Sequence, residues 1–120
     1  MKMALIMDCN GKEILNMKKA GFDGVWHELF GMWLNKEEPV HSNPIINDFI
    51  MELEICANGL GLDVADYLKT KDDTLLFADI FEEGIRRYRN ERGGVLPDFF
   101  EVPLSNFVKE IRDYAYSLPE

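Results

Sequence analysis

Apolar residues recur every three or four positions from Asn43 onward, which is the spacing of amphipathic helices. Asn43 and Pro44 form a standard helix start, because a proline in the first turn has no amide hydrogen to leave unpaired. The helix that follows is predicted to end at Gly59. Met51 and Ile55 fall opposite its main apolar stripe, so this helix is apolar on two faces and is expected at the centre of the fold.

Two helices are predicted in the middle of the chain, a short one over 63–68 and a long one over 74–90. Asp63 caps the first, and Asp72 or Asp73 caps the second, because aspartate accepts hydrogen bonds from the unpaired N–H groups of a first turn. In the long helix the acidic side chains come first and the arginines last, an order that suits the helix dipole.

The last helix is predicted over 104–118, where apolar residues again share one face. The segment before it contains two prolines and is predicted to be a loop that carries Phe99 and Phe100. Tyr116 falls outside the buried face of the last helix. These three aromatic side chains are therefore in excess of what the predicted helix stripes bury.

The N-terminal part of the chain supports two interpretations. Asn10-Gly11 lies between two apolar runs, which is the signal of a β-hairpin. Asn10 with Glu13 three residues later also fits a helix capping box, and the residues up to Gly21 favour helix. Asp23 then caps a second helical segment. We favour helices here and keep the hairpin as the alternative.

Together these elements predict an all-α (mainly α) fold, an irregular bundle of five or six helices, with the small N-terminal β-hairpin as its open alternative. The chain has 120 residues, of which 47% are hydrophobic, and shows no linker, repeat or low-complexity tract. That length and composition suffice for a hydrophobic core without disulfides. We therefore expect a single domain over 1–120.

Cysteine usage and hydropathy bear on the cellular compartment. Cys9 and Cys56 both have apolar neighbours, so free buried thiols are favoured, with a disulfide between them as the alternative. No apolar run approaches the ~18 residues that a membrane span requires. The N-terminus also lacks the features of a signal peptide. We expect a cytoplasmic protein with no membrane partner.

The net charge of −9 is the strongest global signal in the composition. An acidic surface repels phosphate backbones, so direct binding of nucleic acid is disfavoured. Two explanations of the acidity compete. One is solubility alone, and the other is complementarity to a basic protein partner, which speeds association by electrostatic steering.

The acidic residues are concentrated between 63 and 83, and four arginines follow between 86 and 92. Glu82 with Arg86, and Glu83 with Arg87, have the spacing of ion pairs on one helix face. Aromatic side chains beside acidic ones are typical of protein-binding surfaces. The candidate partner-binding residues are therefore Asp63, Asp66, Asp72, Asp73, Asp79, Glu82, Glu83 and Tyr116.

No catalytic, metal or phosphate-binding motif is complete. His27-Glu28 begins the H-E-x-x-H zinc motif, but Gly31 stands where the second histidine belongs. His41 has no second histidine or cysteine at ligand spacing. The glycines of 58–61 lack the lysine of a phosphate-binding loop. We therefore predict no catalytic residues, no metal and no cofactor.

Three hypotheses about function follow. The leading one is a small acidic inhibitor, such as an immunity protein or antitoxin, that occludes the basic active site of a nuclease toxin. The second is a homodimeric adaptor or regulatory module that associates through Met51, Ile55, Trp26 and Trp33. The third is an enzyme whose site is assembled from scattered carboxylates with His27 or His41.

Overall fold

A computed structural model describes residues 4–30, 39, 41–55 and 62–119 of the chain. The elements in order are β1 (Ala4–Cys9), β2 (Lys12–Lys18), α1 (Lys19–Phe30), α2 (Pro44–Ile55), β3 (Leu62–Asp63), a 3₁₀ turn (Val64–Asp66), α3 (Lys71–Glu91) and α4 (Asp98–Ser117). The described residues thus form four α-helices and a three-stranded mixed sheet. The predicted all-α bundle of five or six helices is wrong, because the chain begins with sheet.

The N-terminal sheet begins with a hairpin of β1 and β2, so the alternative interpretation is correct and the favoured helix after Asn10 is wrong. Asn10 and Gly11 both have positive φ, 54° and 82°, as a two-residue type I′ turn requires. Leu5, Met7 and Cys9 alternate inward along β1. This period of two is incompatible with a helix, and it outweighs the local capping signal at Asn10.

A bulge in β2 explains why two consecutive residues of that strand are both buried. Met7 pairs with Leu15, but Asp8 pairs with Glu13, so Ile14 is the extra residue. Regular alternation would place one of Ile14 and Leu15 on the outer face, whereas the bulge lets both side chains reach the core.

The third strand lies on the other side of β1 and runs parallel to it, giving the order β2-β1-β3. Met7 pairs with Leu62, and Asp8 pairs with Asp63. Asp63 then caps the 3₁₀ turn, as predicted, although this turn ends at Asp66 and not at Leu68.

Helices α1 and α3 pass each other at two glycines. A Cβ atom at Gly84 would overlap Val25 and would lie 2.9 Å from Leu29 Cδ1. A Cβ atom at Gly24 would overlap the ring of Tyr88. Glycine at these positions is costly for an isolated helix, but here it permits the close approach of two helices.

Three of the four helices predicted from Asn43 onward are confirmed, with shifted starts for two of them. The short helix predicted over 63–68 is wrong, because this stretch contains the end of β3 and the 3₁₀ turn. Asn43 Oδ1 accepts hydrogen bonds from the backbone N–H groups of Ile45 and Ile46, so the predicted cap of α2 is correct. The predicted end of α2 at Gly59 lies outside the described residues. Thr70, not Asp72 or Asp73, caps α3 by accepting a hydrogen bond from Asp73 N at 3.2 Å.

Helix α4 begins at Asp98 and contains Pro103 in its second turn. The predicted loop around this proline is therefore wrong, and Phe99 and Phe100 are helical. Proline lacks an N–H, so it costs one hydrogen bond of the helix, and the carbonyl of Phe99 loses its usual donor. The helix continues past Pro103, and five of its residues beyond the proline are buried.

The core joins all four helices to the inner face of the sheet. At its centre the ring centroid of Phe81 lies 5.1 Å from that of Phe22 on α1 and 5.1 Å from that of Phe107 on α4. Phe77 links this cluster to α2 through Phe49, at 4.8 Å. All five rings are fully buried, so they fix the helices against one another.

Candidate functional site

Three of the predicted partner-binding acids lie on α3 where it faces α4, and two of them bind one arginine of α4. Arg112 Nη2 lies 2.8 Å from Asp79 Oδ1, and Arg112 Nη1 lies 2.8 Å from Glu82 Oε2. The hydrogen bond to Arg112 holds the pKa of Glu82 below its usual range. Arg112 is 30 residues beyond Glu82, and sequence reasoning missed it.

The third acid of this group, Glu83, binds two arginines of its own helix. Arg87 Nε lies 3.1 Å from Glu83 Oε1, which confirms the predicted pair, and Arg86 also donates to this carboxylate. The predicted pair of Glu82 and Arg86 is wrong, because Glu82 binds Arg112. Hydrogen bonds from Arg86 and Arg87 lower the pKa of Glu83 to about 2.

These residues line an open groove between α3 and α4 with a volume of about 780 Å³. The charged side chains along it are four acids and four bases: Asp79, Glu82, Glu83, Asp113, Arg86, Arg89, Lys109 and Arg112. Formal charges in the groove therefore cancel. A surface of this kind gives little attraction to a basic partner, so this groove is not the acidic surface that the sequence suggested.

Asp63 has an internal role at the junction of the hairpin and β3. Its carboxylate accepts hydrogen bonds from the backbone N–H groups of Asn10, Gly11 and Ala65, each at 2.9 Å. Burial raises the pKa of Asp63, but the three hydrogen bonds outweigh it, so the pKa lies below its usual value. The side chain therefore stays ionised and fastens the hairpin turn to the third strand.

The remaining predicted residues lie apart from the groove acids. Asp66 and Asp72 are exposed, and neither forms an ion pair with a described residue. Asp73 accepts a hydrogen bond from Asn43 Nδ2 at 2.8 Å, which ties α3 to the start of α2. Tyr116 is 65% exposed, and Lys71 Nζ lies 5.3 Å from its ring centroid. The structure thus does not gather the eight predicted residues into one site.

A row of carboxylates crosses the sheet at a place that sequence reasoning missed. Asp8 is paired with Glu13 on one side and with Asp63 on the other. Paired residues point to the same face of a sheet, and this face is opposite to the one on which Met7 is buried. We call Glu13, Asp8 and Asp63 the carboxylate row.

The carboxylate row is unusual because like charges that lie directly opposite each other destabilise a sheet. Neither Asp8 nor Glu13 forms an ion pair with any side chain that the structure describes. Under the hairpin interpretation, the positions of Asp8 and Glu13 around Asn10-Gly11 would have suggested this pairing. The partnership with Asp63 depends on a contact that no local pattern reveals.

Cysteine and histidine supply no reactive centre in the described part of the chain. Cys9 is free, as predicted, and burial, followed by the charges of Asp63 and Glu110, raises the pKa of its thiol to about 11. His41 Nδ1 accepts a hydrogen bond from Asn43 N at 3.0 Å, which is a local turn contact. No three His, Cys, Asp or Glu residues among those described could hold a metal ion.

Several residues named by the sequence hypotheses lie partly or wholly outside what is described. Cys56 and Trp33 are outside the described residues, as are the side chains of Trp26, His27 and Ile55. Met51 is half-buried, so it offers only part of its side chain to a second copy.

Two further findings complete the description. Within the described ranges, no helix is both long and apolar enough to cross a membrane. Comparison of the chain with protein-family models, with curated proteins and with solved structures found no match.

Proposed function

We propose that this protein binds a basic protein partner and blocks its positively charged site, as an immunity protein or antitoxin would block the active site of a nuclease toxin. The mechanism is occlusion, with no chemical reaction and no cofactor. The cytoplasm is the proposed compartment. A net charge of −9 would speed the encounter with a basic partner through electrostatic steering.

The observation that carries the proposal is the carboxylate row. Asp8 and Glu13, the two acids of the row without the internal role of Asp63, lie directly opposite each other and oppose folding, because the Cβ atoms of directly opposed residues are only about 5 Å apart. Cationic side chains of a partner would relieve this repulsion when they bind. Such a local cost to the free protein is typical of a functional surface.

The predicted acids contribute unequally to this proposal. Asp79, Glu82 and Glu83 are already neutralised by arginines, so they are poor mimics of the phosphates that a nuclease expects. Asp66 and Asp72 are exposed and unneutralised by described residues, so they stay in the proposed surface as additional acids.

The first test is co-expression with the product of the adjacent gene. We expect a 1:1 complex with a basic protein, measured by size-exclusion chromatography with light scattering, and loss of the partner's nuclease activity in the complex. An adjacent product that is neither basic nor bound by this protein contradicts the proposal.

Charge-neutralising variants give a sharper test of the surface. Asp8→Asn and Glu13→Gln are expected to slow association several-fold and to reduce its dependence on salt. Glu91→Gln is the matched control, because it removes the same charge from the exposed C-terminal end of α3. If Glu91→Gln slows association as much as Glu13→Gln, net charge alone is responsible and the carboxylate row is not the contact surface.

A further inference from the structure

Three exposed apolar side chains lie in or just before the first turns of α4. Val95 is 74% exposed, Phe99 65% and Val102 62%. Phe99 and Val102 are one helical turn apart and so share a face. Among the described residues only two other large apolar side chains, Ile45 and Tyr116, are exposed. We call Val95, Phe99 and Val102 the apolar patch.

A shallow groove connects the apolar patch to the carboxylate row. It has a volume of about 250 Å³ and lies between β2 and α4. Glu13 of the row and Val102 of the patch both line it. Pro103 lines it as well, and because proline has no N–H, the carbonyl of Phe99 is left without its usual helical donor. Acidic and apolar groups thus meet along one edge.

That edge is the outer side of β2, the end strand in the order β2-β1-β3. No backbone hydrogen bond joins it to a described residue outside the sheet. An unpaired strand edge is a template for an extended segment, which binds by adding one more strand. Exposed Lys12 and Lys18 stand at its two ends, and such charges limit unspecific pairing.

We propose that β2 accepts an extended segment of the basic partner as an added strand, with apolar side chains alternating with polar or basic ones. This inference rests on the proposed function and specifies how the partner is held. Alternate side chains of a strand point to opposite faces of its sheet. One set would therefore meet Val102 and Phe99 of α4, and the other set would lie beside Glu13.

The two faces of the added strand have different roles in this arrangement. Helix α4 packs on the inner face, where Leu15 and Met17 are buried, so the inward side chains of the segment must be apolar. On the outer face a basic side chain suits the position beside Glu13 but not the one beside Lys18. The charges along β2 thus favour a basic side chain of the segment beside Glu13.

The experiment uses short synthetic peptides and the full-length ¹⁵N-labelled protein, with binding followed by amide chemical shifts. The first, the leucine–lysine peptide, alternates leucine with threonine and carries lysine in place of the threonine that would lie beside Glu13. The second replaces each leucine by serine, the third replaces the lysine by glutamate, and the fourth is the first with its β2-facing amides N-methylated. We expect the first to bind about tenfold or more tightly than the others and to shift the amides of 13–16.

A matched pair of variants tests the apolar patch. Phe99→Ser and Tyr116→Ser each remove an aromatic side chain that is 65% exposed on α4, at opposite ends of the helix. We expect Phe99→Ser to weaken binding of the leucine–lysine peptide about tenfold. Tyr116 was a candidate partner-binding residue in the sequence but does not line the groove between β2 and α4, so Tyr116→Ser should leave this binding unchanged. Thermal melting of both variants checks that each is folded.

The possible outcomes separate this inference from the proposed function. If the serine–lysine peptide binds as well as the leucine–lysine peptide and Phe99→Ser has no effect, the carboxylate row binds cations but the added strand is wrong. Equal binding of the N-methylated peptide also overturns strand addition. If no lysine peptide shifts the amides of Asp8 or Glu13, the proposed acidic surface fails together with the inference.

Discussion

Gly84 illustrates how a single residue can be required by packing and yet look unfavourable in the sequence. An alanine methyl group there would overlap the side chain of Val25 and would lie 3.1 Å from its backbone oxygen. The side chain could rotate away, but the backbone oxygen could not move without shifting α1. The sequence shows Gly84 within an apolar stripe but cannot show which helix crosses at that point.

The first prediction concerns this crossing. Gly84→Ala is expected to lower the free energy of unfolding by up to about 2 kcal/mol, because overpacking costs about 1–3 kcal/mol and helix propensity returns only about 1 kcal/mol. Urea denaturation measures the change. Asn90→Ala, at an exposed position of the same helix, is the control and should be neutral or stabilising. A stabilised Gly84→Ala would mean that the two helices do not approach so closely.

Asp63 leads to a prediction about pH. Its pKa in the folded protein is below the usual value of 3.8, so its contribution to stability is complete above that value and is lost as the pH falls through the folded pKa. Asp63→Asn should therefore destabilise the protein by about 1–2 kcal/mol at neutral pH, allowing for solvent screening. Below about pH 4 the difference from wild type should shrink. Thermal melts of both proteins across this pH range measure the difference. A stability difference that stays constant down to about pH 2 would contradict the prediction.

At the scale of elements, the sequence predicts helices well and the hairpin poorly. Helices α2, α3 and α4 carry long apolar stripes, and their existence follows from periodicity. Their starts are less predictable, because Thr70 and Asp72 are both good caps and only the backbone conformation selects between them. The hairpin competes with a helix because Asn10-Gly11 fits both. The pairing of β1 with β3 favours the sheet over the helix. It is a contact between distant parts of the chain, so the local sequence does not reveal it.

The pairing of α3 with α4 gives the next prediction. Arg112 binds Asp79 and Glu82 across the two helices, and these two acids are 70% and 60% exposed. Arg112→Gln is expected to lower the free energy of unfolding by about 1 kcal/mol in dilute buffer and by less in 1 M salt, because exposed ion pairs are weak and screened. Chemical denaturation at both salt concentrations measures this.

Lys109→Gln is the control for Arg112→Gln. Lys109 pairs with Asp113 at a distance of 3.1 Å within α4 and bridges no other helix. Lys109→Gln should cost less stability than Arg112→Gln, because pairs four residues apart on one exposed helix face are weak. Equal losses for the two variants would show that bridging the helices adds no stability.

At the scale of the whole molecule, the most acidic stretch of the sequence and the candidate binding surface are largely different sets of residues. The net charge of −9 is evident from the composition, and the acidic residues are concentrated between 63 and 83 in the sequence. The structure neutralises part of that stretch through Arg112, a residue of another helix, and it assembles the carboxylate row from three different strands. Composition and helix spacing could supply neither fact, since both depend on contacts between distant parts of the chain.

The carboxylate row implies a conflict between stability and binding. Glu13→Gln is expected to raise the free energy of unfolding by about 0.2–1 kcal/mol, because it removes repulsion with Asp8. Asp8→Asn should have a similar effect, and the double variant should gain less than the sum of both, since either change alone removes the repulsion. A double-mutant cycle by urea denaturation measures the coupling. Strictly additive gains would show that the two carboxylates do not interact.

The contact between Asp63 and the hairpin turn also has a consequence for the order of assembly. Its hydrogen bonds to Asn10 and Gly11 join residues 53 and 52 positions apart, whereas the hairpin and the α3–α4 pair need only short loops. Closing so long a loop is slow, so these bonds are expected to form late. Asp63→Asn should then speed unfolding and leave the folding rate nearly unchanged in stopped-flow measurements. During synthesis, the hairpin leaves the ribosome first but gains its third strand only after residue 63 has emerged.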